Sequence, residues 1–201
     1  MILYLHGFRS SPDSFKARLM KQEMQNRQRL DQWRCPALPV SPAQALLLAR
    51  QEAQALCDAN GRALHELTIV GSSLGGFYAT SLAEQLGCRA VLLNPAVHAP
   101  RDLATQVGEH KNYHNGEPLV FHAAYVDELA AMAVDRITKP QRYYLIAATG
   151  DELLDWTEMR DFFAGSAQTI IEGSDHGLSD FAHYIPDVMA FAYPDNKNQP
   201  S

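Results

Sequence analysis

The chain has 201 residues, 46% of them apolar, with a formal charge of −6, enough for one domain with a sizeable core. Its 17 Lys and Arg are nowhere concentrated, which argues against a nucleic-acid partner. Three unevenly spaced cysteines, Cys35, Cys57 and Cys88, form no CxxC pair, so reduced thiols in a cytoplasmic protein are expected rather than a disulfide framework. The opening MILYLHG lacks the basic segment of a signal peptide, and no stretch approaches the ~20 apolar residues of a membrane span.

In chain order, ILYLHG reads as a buried strand running into a loop. A helix follows, with Ser11 as its N-cap, Pro12 at its first position and Asp13 in its first turn. Phe15, Leu19 and Met24 keep its apolar spacing. The basic residues within 16–29 alternate with Gln, Glu and Met and read as its wet face. CPALPV is Pro-broken and suits an edge strand. Ser41-x-x-Gln44 with Pro42 is a capping box opening a helix that runs to about Ala59. ELTIVG is the next strand, FYATSLAEQL a helix stopped by Gly87, and RAVLLN a strand ending at Asn94. Residues 97–139 show no strand signal and read as an inserted, partly helical, cap-like segment. RYYLIAATGDE is a strand ending at Gly150-Asp151, WTEMRDFF a helix, and AQTIIEGSDHG a last strand and loop. Helix follows over about 179–193, broken at Pro186. Residues 195–201 read as a flexible tail. The alternation predicts an α/β protein, with one domain over 1–194 and a mainly parallel, doubly wound sheet.

Chemistry in such sheets gathers at the C-terminal ends of the strands. The residues expected there are His6, Gly7, Ser72, Ser73, Asn94, Asp151, Asp175 and His176. The central question is IVGSSLGG, residues 69–76. A phosphate-binding P-loop needs a Lys that is missing, and a dinucleotide fingerprint needs GxGxxG near the first strand. Gly71-Ser72-Ser73-Leu74-Gly75 is instead GxSxG between a strand and a helix, the nucleophile elbow. A sharp turn brings the residues two before and two after the nucleophile together, so both must be small. Ser73 has Gly71 and Gly75 at those positions; Ser72 has Val70 and Leu74. Ser73 is therefore the nucleophile and Ser72 a supporting residue.

A serine hydroxyl needs a base, and His176 follows the last strand. The imidazole needs a carboxylate. Asp151 ends the preceding strand; Asp175 adjoins His176 too closely to fold back on it, and Glu152 points elsewhere. The oxyanion needs two N–H donors, expected from the backbone of Leu74 and Phe8.

Together YLHGFRSSP, VGSSLGGFYA, NPAV, TGDELLD and IEGSDH resemble the YqiA-type family of small bacterial esterases in the α/β-hydrolase superfamily. The resemblance runs through nearly the whole chain and is weakest at 99–140. It implies a compact α/β-hydrolase that begins at the oxyanion-hole strand. It also implies Ser73 as nucleophile, Asp151 as acid and His176 as base, acting on acyl esters or thioesters. Arg9 stands where the family commonly has Asn, and Leu178 where it commonly has an aromatic residue. Both bear on the pocket rim.

The expected function is that of a serine hydrolase forming an acyl-enzyme on a small-molecule acyl ester or thioester, with no cofactor and no metal. Two alternatives use the same residues: an acyltransferase, or a binding protein on an idle hydrolase scaffold. Arg9 is a candidate for greeting an anionic substrate group and equally a solvated surface residue. His110 and His114 are four apart, but a metal site needs further ligands; they read as polar residues of the cap. Oligomeric state is not legible.

Overall fold

In the computed structural model, residues 1–113 and 116–194 are described; His114 and the 195–201 tail lie outside them. Six strands form one parallel sheet in the order β2-β1-β3-β4-β7-β8. They are β1 (Ile2–Leu5), β2 (Trp33–Arg34), β3 (Thr68–Ser72), β4 (Arg89–Leu93), β7 (Tyr143–Ala148) and β8 (Ala167–Ile171). β5 (Gly108–Lys111) and β6 (Pro118–Phe121) make a separate antiparallel pair. The helices are α1 (Phe15–Asn26), α2 (Pro42–Ala59), α3 (Leu74–Leu86), α4 (Ala99–Ala104), α5 (Ala124–Met132), α6 (Trp156–Phe162) and α7 (Ile185–Ala192).

Side chains alternate across a strand, so each face of a parallel sheet needs its own cover. Leu3, Leu5, Ile69, Leu92, Leu145 and Ala147 face a core built with α2, α3 and α6. Ile2, Tyr4, Val70, Val91, Leu93 and Ile146 face the core under α1 and α7. The chain leaves β1 in one direction to β2 and returns past it to β3. The strand order therefore reverses between β1 and β3, and a crevice opens at their C-terminal ends. The turns after these two strands carry Gly7 and Ser73.

Four expectations are corrected here. Helix α1 begins at Phe15, with Ser14 as its N-cap. The Ser11 hydroxyl instead accepts the Asp13 N–H at 3.1 Å, closing a local turn that competes with the helix. The buried face of α1 is Lys16, Ala17, Met20 and Met24, so Lys16 is not on the wet face and Phe15 is exposed. The edge strand is Trp33–Arg34 and stops before CPALPV, where Pro36 and Pro39 bring no N–H. Residues 97–139 do contain strands: β5 and β6, four residues each and half-exposed. His110 is on β5, not on a helix; its Nε2 lies 2.6 Å from the Gln106 carbonyl.

Other local expectations hold. The Ser41 hydroxyl accepts the Gln44 N–H at the start of α2. Gly87 ends α3 in the left-handed conformation, φ 70°. Pro186 sits in the first turn of α7, after a short 3₁₀ segment over 181–184. The cysteines are free, and burial pushes the Cys35 and Cys88 thiols up to about 12. Among the described residues no helix is long and apolar enough to cross a membrane.

Candidate active site

The strand-to-helix turn at Ser73 is unusually tight. Ser73 has φ 55° and ψ −121°, a backbone conformation L-residues rarely adopt. A Cβ on Gly71 would run into the Gly75 carbonyl, and one on Gly75 into the Leu5 carbonyl. A Cβ on Gly76 would come within 2.6 Å of Pro95. The turn thus packs backbone against backbone at Gly71 and Gly75 and against the Pro95 ring at Gly76, and the contacts around it hold Ser73 in strain. The Ser73 N–H donates to the Leu93 carbonyl at 3.0 Å, and its carbonyl accepts from Gly76 and Ala96. Leu74 begins α3, so its N–H has no acceptor one turn back in the helix.

His176 lies beside this turn. Its Nε2 is 3.0 Å from Ser73 Oγ, and its Nδ1 is 2.8 Å from Asp151 Oδ2 and 3.0 Å from Oδ1. The Asp151 side chain is fully buried, and Oδ1 also accepts the N–H groups of Leu153 and Leu154, each at 2.9 Å. A carboxylate only accepts, so it holds the proton on Nδ1 and leaves Nε2 free to accept from the Ser73 hydroxyl. An imidazole held this way can take a proton from a serine and pass it on.

The other acidic residues nearby serve the backbone. Asp175 Oδ1 accepts the Ser179 N–H at 3.1 Å, and Glu152 Oε2 accepts the His176 N–H at 3.0 Å. Asn94 is fully buried at the end of β4. Its amide donates to the carbonyls of Asp175 and His176, at 3.0 and 3.1 Å, while its oxygen accepts from Ala148. Asn94 thereby ties the His176 loop to the sheet. The sequence placed Asn94 at a strand end but carried no sign of that task.

His6 is another residue whose work was not legible. Its Nε2 accepts the Leu38 N–H at 3.1 Å, so Nδ1 carries the proton and donates to the Gly7 carbonyl at 3.0 Å. The Ser10 N–H reaches the same carbonyl at 3.3 Å. In a planar trans peptide the N–H points opposite to the carbonyl. Anchoring the Gly7 carbonyl therefore also sets the direction of the Phe8 N–H. Gly7 lies against Ser73, where an added Cβ would be 3.1 Å from the serine Cβ.

A cavity of about 710 Å³ opens over Ser73. Phe8, Ala96, Leu103 and Leu154 give it an apolar wall; Tyr4, Ser14, Lys16 and Ser72 give it a polar one. Arg9 stands behind the rim. Its Nε donates to the Lys111 carbonyl at 2.8 Å, and its guanidinium lies 4.2 Å from the centroid of Tyr113, itself a cavity residue. Among the described residues no cluster of His, Cys, Asp and Glu could hold a metal ion.

The chain matches the family model described as uncharacterised protein family UPF0227 over residues 1–193. It is also similar to solved structures. The esterase domain of a Rhodothermus marinus protein aligns with a TM-score of 0.65 and 17% identity, over 96% of this chain and 86% of that one. Est1E from Butyrivibrio proteoclasticus aligns at 0.62 and 13%, over 95% and 87%. The alpha/beta hydrolase domain-containing protein 10 from mouse aligns at 0.62 and 14%, over 94% and 88%. At such identities the likeness is one of fold. With its parallel sheet, its crevice between β1 and β3 and its tight turn at Ser73, the chain is an α/β-hydrolase-fold protein and belongs to family UPF0227, the YqiA-type family.

Proposed function

We propose that this protein is a serine hydrolase that cleaves a small acyl ester or thioester through an acyl-enzyme on Ser73. The observation that carries this reading is the continuous chain from Ser73 Oγ through His176 to buried Asp151, with contacts of 3.0 and 2.8 Å. In the first half-reaction Ser73 attacks the carbonyl carbon while His176 Nε2 takes the hydroxyl proton. Asp151 holds the ring in the required tautomer and stabilises the imidazolium. The oxyanion forms against the N–H groups of Leu74 and Phe8, which are aimed by the start of α3 and by the anchored Gly7 carbonyl. His176 then protonates the leaving alcohol or thiol. In the second half-reaction water attacks the acyl-enzyme while giving a proton to His176, and His176 returns that proton to Ser73 Oγ as the acyl–Oγ bond breaks and the acid leaves. Residues 97–139 act as the cap that shapes the acyl pocket, since α4 supplies Leu103 to the cavity and the hairpin segment supplies Tyr113.

The test is a panel of short-chain p-nitrophenyl esters and acyl thioesters with product analysis. The expected result is free acid in stoichiometric yield, with turnover lost in Ser73→Ala. Acyl transfer to added alcohols in preference to water would contradict the hydrolase reading in favour of an acyltransferase. Inertness of the folded protein toward the whole panel would contradict both.

A further inference from the structure

The polar wall of the cavity contains a charge that the reaction above does not use. Lys16 is only 9% exposed, yet among the described residues Nζ makes a single hydrogen bond, to the Gly177 carbonyl at 2.7 Å. An ammonium has three N–H donors, so two are left. Lys16 takes part in none of the ion pairs among the described residues. The nearby carboxylates attract it electrostatically but take their hydrogen bonds elsewhere: Asp151 from His176, Leu153 and Leu154, and Asp175 from Ser179. The hydroxyls of Tyr4 and Ser14 are buried. Tyr4, Ser14, Lys16 and Ser73 line one cavity.

A buried ammonium with two N–H donors left over is costly to a fold. A carboxylate meets that need, because it brings negative charge and up to four acceptor sites. Phe8, Ala96, Leu103 and Leu154 also line the cavity, so a bound molecule would have one charged end and an apolar part.

We propose that Lys16 forms an anion-recognising subsite beside Ser73, and that the substrate is an ester or thioester bearing a carboxylate. This rests on the hydrolase reading for the ester and on the cavity alone for the carboxylate. Lys16 acts here on the substrate and, through the Gly177 carbonyl, also steadies the loop that carries His176.

The test compares matched esters. Methyl hydrogen succinate against methyl butyrate places the charge on the acyl side; 3-acetoxypropanoate against propyl acetate places it on the alcohol side. The expected result is at least a ten-fold preference in kcat/KM for the anionic member of one pair. Lys16→Met should shrink that ratio several-fold, and Lys16→Arg should restore part of it. A ratio is insensitive to general loosening of the His176 loop, which slows both members alike. Calorimetric titration of succinate and butyrate into Ser73→Ala protein reads the subsite without any chemistry. Succinate should bind at least ten-fold more tightly, and Lys16→Met should abolish the difference. Lys16-dependent succinate binding with no ester cleaved would support the subsite while contradicting the hydrolase reading. No Lys16-dependent preference in either experiment would overturn the subsite and leave Lys16 as a peg for the Gly177 carbonyl.

Discussion

The turn between β3 and α3 and the segment over 97–139 are fastened in opposite ways. The turn is held by backbone packed on backbone: Gly71 against Gly75, and Gly75 against Leu5. The 97–139 segment is held mostly by side chains reaching across the fold, with a backbone bond from the Tyr113 N–H to the Arg9 carbonyl at 2.9 Å. Glu128 on α5 accepts from the Ser41 hydroxyl and the Ala43 N–H at the start of α2, at 2.8 and 2.9 Å. Farther on, Glu84 on α3 takes the Thr138 N–H at 3.1 Å and also the Tyr143 hydroxyl. Arg9 fastens the hairpin through Lys111 and Tyr113. A backbone-packed turn tolerates almost no change, and a nucleophile needs that rigidity. A segment fastened by side chains can be re-cut for a different substrate while the sheet stays intact.

Substitutions can break or sharpen this contrast. The largest effects belong at the strand ends. Ser73→Ala and His176→Ala should lower kcat/KM by about 10⁴- to 10⁶-fold, and Asp151→Asn by roughly 10³- to 10⁴-fold, in steady-state ester hydrolysis. The turn should be equally unforgiving in stability. Gly75→Ala drives a Cβ into the Leu5 carbonyl and should cost about 3 kcal/mol or more in urea unfolding. Ser73→Gly should do the reverse. By relieving the strain at φ 55° it should gain about 1 kcal/mol while abolishing turnover. Ser73→Ala, which keeps the strain, should show no such gain.

His6→Ala comes next. It removes the anchor of the Gly7 carbonyl without removing the Phe8 N–H. The expected loss is about 10- to 100-fold in kcat with little change in KM, below the ~10²–10³ of deleting a donor outright. A matching fall in KM-limited binding would mean a disturbed fold rather than a misaimed donor. The pH profile of the carboxylate preference gives a further check. Burial lowers the Lys16 ammonium to about 8, against the opposing pull of Asp175 and Asp151. Lys16 is therefore charged below that value and neutral above it. The preference for an anionic ester should be constant at lower pH and fade as pH rises through about 8. Any ionisation that acts on both esters alike cancels in the ratio. The smallest effect belongs to the hairpin tether. Arg9→Ala loses one exposed hydrogen bond and one cation–π contact, about 1 kcal/mol or less. It should shift KM a few-fold and leave kcat nearly unchanged.

The same contrast explains what could be read from the residues alone. Gly71, Ser73 and Gly75 were legible because the turn's sterics reduce to a spacing of small residues. Asp151 and His176 were legible because an alternating α/β chain orders its strand ends. Lys16 was misread because composition alone assigns a lysine among glutamines to water; it is buried by the approach of Gly177, 161 residues away. The β5–β6 hairpin was missed because GEHK alternates without any large apolar residue, and its pairing with PLVF is tertiary. The work of Asn94 and His6 depends on bonds to residues 148, 175 and 38, which no local pattern announces.

The central claim is that Ser73 is an activated nucleophile, and covalent labelling tests it most directly. The protein would be treated with an activated alkyl phosphonate ester and read by intact mass and peptide mapping. The account predicts one adduct per chain, on Ser73, absent in Ser73→Ala and formed at least a thousand-fold more slowly in His176→Ala. A folded protein that takes up no label, or takes it up on Ser72, would contradict it.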